Sequence, residues 1–378
     1  MKTSIRLTSE GYGYHTLELG YHPSHEQFRK HCRDLNSRSS SKEYYPLKKF
    51  EDTSCHFCGL LCKNGTRIYL TESECKYNVC NVKLIVNPRR LINPEASYLG
   101  IMPSDPDDRD QFEQSFTDCM RKVDLPEFID EWALKRLDLC VNILWDKKKG
   151  PHKLLKLLHK EPVPKGYEKN LFEQSDAGKR RKGIKNKHII KFSNDSVAFV
   201  VYDKGYQLKK ENLALPEEFI TKGILRVELQ LKKPWLEKYA DKRHITDTGD
   251  LIATLASESR MWICQYAEKL FNGGTHCKLE KMEQELRNTE NIRGTVRKRM
   301  LKIAEHLRDS SDIQCIMEEL ELSEKQVRTC FQHFKQLNLH PVALPDDFPI
   351  DRLPSLVDIL QDLEDDETEL RLDGKRKK

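Results

Sequence analysis

Residues 135–145 read KRLDLCVNILW, and the reading of this run settles the kind of fold to expect. Successive side chains of a β-strand point to opposite faces. Arg136, Asp138, Cys140 and Asn142 therefore share one face, and Leu137, Leu139, Val141 and Ile143 share the other. A strand that is apolar on one side and polar on the other belongs to a sheet with one face on a core and one face left open, the habit of antiparallel sheets.

Downstream runs repeat the pattern. GILRVELQLKK (residues 223–233) groups Arg226, Glu228, Gln230 and Lys232 opposite Val227, Leu229 and Leu231, again an arginine followed two residues later by an acid. VAFVVYDKGY (197–206) is apolar as far as Tyr202, which shares its face with Lys204 while Asp203 takes the other side. HIIKF (188–192) reads as a further strand, and TRIYLT (66–71) with NVKLIVNP (81–88) reads as a hairpin closed by Asn-Pro.

Helical spacing occupies the remainder. Residues 107–134 carry Phe112, Phe116 and Met120, with Phe128 and Trp132 further on, and read as one or two crossover helices broken at Pro126; GPHKLLKLLHKE (150–161) is a short amphipathic helix. Beyond about Asp247 strand signals stop, and residues 251–272, 278–308, 311–320 and 323–337 read as helices, the last capped by Ser323. The fold class expected is α+β: a twisted, mostly antiparallel sheet with flanking helices, followed by a helical C-terminal region. Residues 1–60 read as a polar N-terminal segment with one helix before the connector SRSSSKEYYPLKK (37–49), residues 61–246 as the sheet-based body, and residues 247–378 as helices ending in a charged tail.

Composition narrows the classes. A chain of 378 residues suits two folded units of roughly 100–200 residues each. Its 65 Lys and Arg against 60 Asp and Glu leave a formal charge of only +5, so contact with nucleic acid must come from local clusters. No run approaches the roughly 18–20 apolar residues of a membrane span, and MKTSIRLTSEGYGYH (1–15) lacks the apolar core of a signal peptide. The 12 cysteines lie in unrelated contexts, which argues for reduced thiols and a cytoplasmic protein.

If the three amphipathic strands align their polar faces, two carboxylates, a phenol, an ammonium and two guanidiniums meet over one surface. Hard oxygen ligands such as Asp138 and Glu228 suit Mg²⁺ or Mn²⁺, and a phenol with a pKa of about 10 needs nearby positive charge to attack as phenolate. On spacing alone the same pattern also fits cross-strand ion pairs and a packed tyrosine.

In this order and separation, LKRLDLCVNI, VAFVVYDKGYQL and ILRVELQLKK resemble the core motifs of the rolling-circle replication initiation factors of plasmids and phages. NVKLIVNPRRL and the later LHPVALP and LPSL are similar to family members more loosely. The resemblance covers about residues 80–235 and rests on the combination of short motifs. It implies a nicking domain that cuts one strand at an origin, keeps the 5′ end as a phosphotyrosine and leaves a free 3′-OH. Asp138 and Glu228 would then bind Mg²⁺ or Mn²⁺, Tyr202 or Tyr206 would be the nucleophile, and Lys204, Arg136 and Arg226 would neutralise phosphate. Asn142 stands where many family strands carry a second acid, so it would be a weak, uncharged third ligand. The implied partners are origin DNA, single-stranded or supercoiled, with a host helicase and a second copy of the chain as further partners to test, and no membrane. Two other functions fit the same residues: a catalytically silent DNA-binding accessory or regulator, and a conjugative relaxase.

Three further features bear on function. GKRRKGIKNKH (178–188) is a basic loop whose Lys179, Arg180, Arg181, Lys182, Lys185 and Lys187 would supply salt-sensitive phosphate contacts. MEELELSEKQVRTCFQHFKQLNL (317–339) has the break of a helix-turn-helix, displaying Lys325, Arg328 and Lys335, and equally that of a plain helical pair. Cys55-x2-Cys58-Gly with Cys62, Cys75 and Cys80 leaves open a zinc site or inert thiols.

Overall fold

The structure is a computed structural model that describes residues 6–50, 53–73, 79–170, 172–174, 180–185, 187–290, 292–309, 313–363 and 369–371. The chain opens with β1 (Arg6–Tyr21), α1 (His25–Arg38) and four strands, β2 (Tyr44–Phe50), β3 (Thr53–Cys58), β4 (Thr66–Ser73) and β5 (Val79–Val86). Asn87 caps α2 (Pro88–Ile92), and Asp105 caps α3 (Pro106–Lys122), each helix opening on the proline that suits its first turn.

The second stretch repeats that winding. It runs through β6 (Ala133–Trp145), α4 (Gly150–Leu158), β7 (Glu168–Asn170), β8 (Phe172–Gln174), β9 (Arg180–Lys185), β10 (Ile189–Ser193), β11 (Val197–Asp203), α5 (Lys204–Lys210) and β12 (Gly223–Lys232). Beyond it come α6 (Lys233–Arg243), α7 (Thr248–Ser257), α8 (Ser259–Leu270), β13 (His276–Cys277), α9 (Leu279–Asn288), α10 (Gly294–Asp309), α11 (Ile313–Glu319), α12 (Glu324–Gln336), β14 (Arg352–Leu353), α13 (Leu356–Asp362) and β15 (Glu369–Arg371).

The molecule is α+β, built on one large sheet ordered β2-β3-β4-β5-β1-β6-β12-β11-β10-β7, with β15 added to the start of β1. All of its pairings are antiparallel. In each half a long strand is followed by a helix and then by strands that wind back until the last pairs with the first: β5 with β1, and β12 with β6. The two long strands, β1 and β6, pair at the centre.

One sheet face lies on the main core. Leu137, Leu139, Val141 and Ile143 of β6 and Val227, Leu229 and Leu231 of β12 are fully buried, packed with Leu154 and Leu155 of α4, Leu255 of α7 and Ile263 of α8. A smaller cluster, Leu99, Leu144, Leu208 and Ile224, covers one end of the opposite face. The segment before α3 crosses there: Tyr14 and Met102 exchange backbone hydrogen bonds, and a Cβ on Gly13 would lie 2.0 Å from the Met102 carbonyl oxygen. Only glycine permits so close an approach.

Several expectations are corrected. The segment read as polar, residues 1–60, supplies the central strand β1 together with α1, β2 and β3. Residues 180–185, read as loop, form β9 and pair with β8. Strand β11 stops at Asp203, whose carboxylate accepts from the Tyr206 amide and so caps α5. Of the one or two helices read over residues 107–134, one forms, α3, and a short 3₁₀ turn at residues 129–131 follows Pro126. The 251–272 and 278–308 runs are each split into two helices.

Candidate functional site

Register brings the polar residues of three strands together. In β6 and β12, Asn142 pairs with Arg226, Cys140 with Glu228 and Asp138 with Gln230; in β11, Tyr202 pairs with Arg226 and Val200 with Glu228. Directly opposed residues share a face, so Asp138, Asn142, Arg226, Glu228 and Tyr202 occupy the side away from the main core.

The Tyr202 hydroxyl donates to Glu228 Oε1 at 2.6 Å. The phenol is only 9% exposed. Burial first, and the Glu228 charge second, push its pKa well above the ordinary value. Electrostatics around this phenol thus run opposite to the expected activation by cations, and a neutral phenol facing a carboxylate is the resting arrangement.

Asp138 is 3% exposed and accepts from Arg136 Nε at 2.9 Å. Burial raises its pKa to about 7; Arg136 works against that shift and Glu228 adds to it. Arg136 is also held by Glu18 at 3.5 Å. Lys204, 4% exposed, bonds Gln207 and lies 5.7 Å from the Tyr202 ring centre. Burial, then Arg226, lower its ammonium to about 8.

Two expected site residues are fully buried and bonded to each other. Asn142 accepts from Arg226 Nε at 2.7 Å and donates to the Leu99 carbonyl at 3.0 Å. Both ends of its amide are thereby engaged, and it braces Arg226. Arg226 is fully buried and also donates to the Leu99 carbonyl, so it is not a surface contact for DNA. Its Nη1 is buried without a close hydrogen-bond acceptor among the described residues.

The tyrosines separate. Tyr206 is 38% exposed, and its ring stacks on His188 at 3.5 Å, which in turn stacks on His152 of α4 at 5.1 Å. It belongs to the Asp203 side of β11, away from the carboxylates.

Residues missed in the sequence also face the site. Lys191 pairs with Val200, and its ammonium, lowered first by burial, senses Lys232, Arg136, Asp138 and Glu228. Alternation against Ile190 and Phe192 is the signal that would have found it. His15, bonded to Thr16 and Asn87, is held neutral by burial and by Arg226 and Lys204; β1 had no legible alternation to place it.

The open face continues into the first half. Glu18 pairs with both Arg136 and Ile85. Two residues before Ile85, Lys83 pairs with Tyr69, Tyr69 with Phe57 and Phe57 with Tyr45. The rings are 5.1 and 5.4 Å apart between centres, Lys83 Nζ sits 5.2 Å from the Tyr69 ring, and Tyr45 is 40% exposed. An aromatic row edged by Lys83 and the exposed Arg67 thus runs on the same face as Tyr202 and Asp138.

Of the basic segment, Arg180, Arg181, Lys182 and Lys185 lie on β9, Lys187 is exposed in the turn before β10, and Lys179 lies outside the described residues. Cys55 and Cys58 lie three positions apart on β3, so they take opposite faces: Cys55 meets Thr71 and Cys58 meets Ser39. They do not form a knuckle; Cys75 lies outside the described residues. Helix α12 exposes Lys325, Arg328 and Lys335 along one side. No described helix is long and apolar enough to cross a membrane.

Asp138 and Glu228 are two nearly dry carboxylates on one sheet face, oxygen donors of the kind a hard divalent cation takes; burial first, with Glu228 adding and Arg136 opposing, raises the Asp138 pKa. A scan against protein-family models finds no match for the chain, and a search of curated proteins finds none either.

Proposed function

We propose that the chain initiates rolling-circle replication by nicking one DNA strand through Tyr202. The observation that carries this reading is the 2.6 Å hydrogen bond from the Tyr202 hydroxyl to Glu228, on a polar face that also holds Asp138, Arg136 and Lys204. In the proposed step the Tyr202 oxygen bonds to phosphorus and the P–O3′ bond breaks. The phenolic proton passes to Glu228, and the 3′ oxygen leaves as a hydroxyl after taking a proton from solvent. Lys204, poised near pH 8, and Arg136 counter the charge that builds on the phosphoryl oxygens. Asp138 and Glu228 would hold Mg²⁺ or Mn²⁺, which when bound would polarise the phosphate and favour the phenolate. The aromatic row from Tyr69 to Tyr45 suits stacked bases of a single strand, with Arg67 and Lys83 for its phosphates.

A second reading, a DNA-binding protein that never cuts, is favoured by one observation: the Tyr202 phenol is buried and held protonated. The two are separated by incubating the purified chain with supercoiled DNA of its own genetic element and Mn²⁺. Nicking by the native chain and by Tyr206→Phe, lost in Tyr202→Phe and Asp138→Asn, supports the enzyme. Tight binding without any nick by the native chain supports the silent protein.

A further inference from the structure

We propose that His25, Glu72 and Cys80 form a zinc site that ties α1 to the β4–β5 hairpin. Glu72 and Cys80 are paired across that hairpin on the side opposite the aromatic row, and His25 is the first residue of α1, held there by the capping box of Ser24 and Gln27. His25 Nδ1 lies 3.2 Å from Cys80 Sγ and 3.4 Å from Glu72 Oε1, and the three donor atoms all lie within 4.8 Å of one another. Zinc bonds of about 2.3 Å to sulfur and about 2.0–2.2 Å to nitrogen and oxygen give a tetrahedron with edges of roughly 3.3–3.6 Å. The donors therefore close on an ion with small side-chain movements.

The donor chemistry selects the metal. A thiolate and an imidazole favour zinc over magnesium or calcium, which prefer all-oxygen shells. Three protein ligands leave a fourth position for water. Cys80 is 4% exposed while the His25 and Glu72 side chains are 40% and 30% exposed, so the sulfur lies at the base of a site reached from solvent. On binding, Cys80 gives up its thiol proton, and the bound ion neutralises a thiolate and a carboxylate that would otherwise repel. The site sits in the first half of the sheet and does not depend on the Tyr202 reading.

The test uses the full-length chain, loaded with Zn²⁺ and dialysed, with metal content measured and Co²⁺ substituted as a spectroscopic probe. The expected result is about one equivalent of zinc per chain. With Co²⁺ it is a sulfur-to-cobalt charge-transfer band with tetrahedral visible bands, and affinity at least about tenfold weaker in Cys80→Ser and His25→Ala, since even outer-shell changes cost about that much. Cys62→Ser, remote from the site, is expected to leave all of this unchanged. Because the His25 side chain is far more exposed than that of Cys80, its substitution keeps the test valid if Cys80→Ser does not fold. Absence of retained zinc and of the cobalt band, or a band that persists in both variants through adventitious thiols, overturns the proposal.

Discussion

At the scale of single residues the site is defined by what burial does to charge. Asp138 ionises in the fold at about 7, against about 3.9 in an unfolded chain. The folded state thus keeps a proton that the unfolded state releases. The stability linked to that proton is complete below pH about 4 and is lost as pH rises through about 7. Asp138→Asn mimics the protonated form. The variant is expected to gain melting temperature over the native chain as pH goes from 5 to 8, by about 2 °C for each kcal/mol, in scanning calorimetry without metal. An unchanged difference across that range contradicts the assignment. The same proton must leave before a cation binds, so Mn²⁺ affinity is expected to rise about tenfold per pH unit up to about pH 7 and then level off. Titration calorimetry in buffers of different ionisation heat measures that proton directly.

At the scale of elements, strands with clear alternation or a continuous apolar β-branched run were legible, and β1 was not. KRLDLCVNILW and GILRVELQLKK disclosed both faces of β6 and β12, and the register placed Asp138, Arg226 and Glu228 on the polar side as the spacing requires. β1 escaped because its pairing with β6 shifts at three places, Ser9/Tyr12, Tyr14/Thr16 and Glu18/Leu19. Each shift reverses the inside-outside pattern of the residues beyond it. Reading YDKGY as strand failed because Asp203 begins a helix, and it is this break that sends Tyr206 to the other side. The resemblance singles out Asn142 as a ligand, while strand spacing reveals only its face and not the partner above it; Leu99, whose carbonyl it meets, comes from a segment far away in sequence. The aromatic row is a property of four strands together, and its contribution is testable. Phe57→Ala and Tyr69→Ala are each expected to weaken binding of oligothymidylate by about 1–3 kcal/mol, the usual cost of losing one stacked base. Fluorescence anisotropy with circular dichroism as a folding control measures it; native affinity in both variants would remove the row from the account.

At the scale of the whole molecule, two halves of like winding share one sheet, and only the second carries the arginine-acid strands around a tyrosine. The likeness of winding was hidden in the sequence because it lies in strand order and pairing, β5 on β1 and β12 on β6, and not in residue types. The first half still determines whether the second can work. β1 lies between β5 and β6 and contributes the buried Leu7, Leu17 and Leu19 to the core. Burying such side chains is worth roughly 1.5–3 kcal/mol each, and their loss would also leave the hydrogen-bonding edge of β6 unpaired. A chain lacking residues 1–23 is therefore expected to be insoluble or unfolded, whereas a dispensable leader would leave a folded, DNA-binding protein; expression and circular dichroism decide. The measurement that bears most directly on the central claim is mass spectrometry of peptides from the chain after reaction with DNA of its own genetic element and Mn²⁺. Nicking through Tyr202 predicts a nucleotide adduct on Tyr202, formed only with metal and absent from Asp138→Asn. An adduct on Tyr206, or tight DNA binding with no adduct at all, would contradict it.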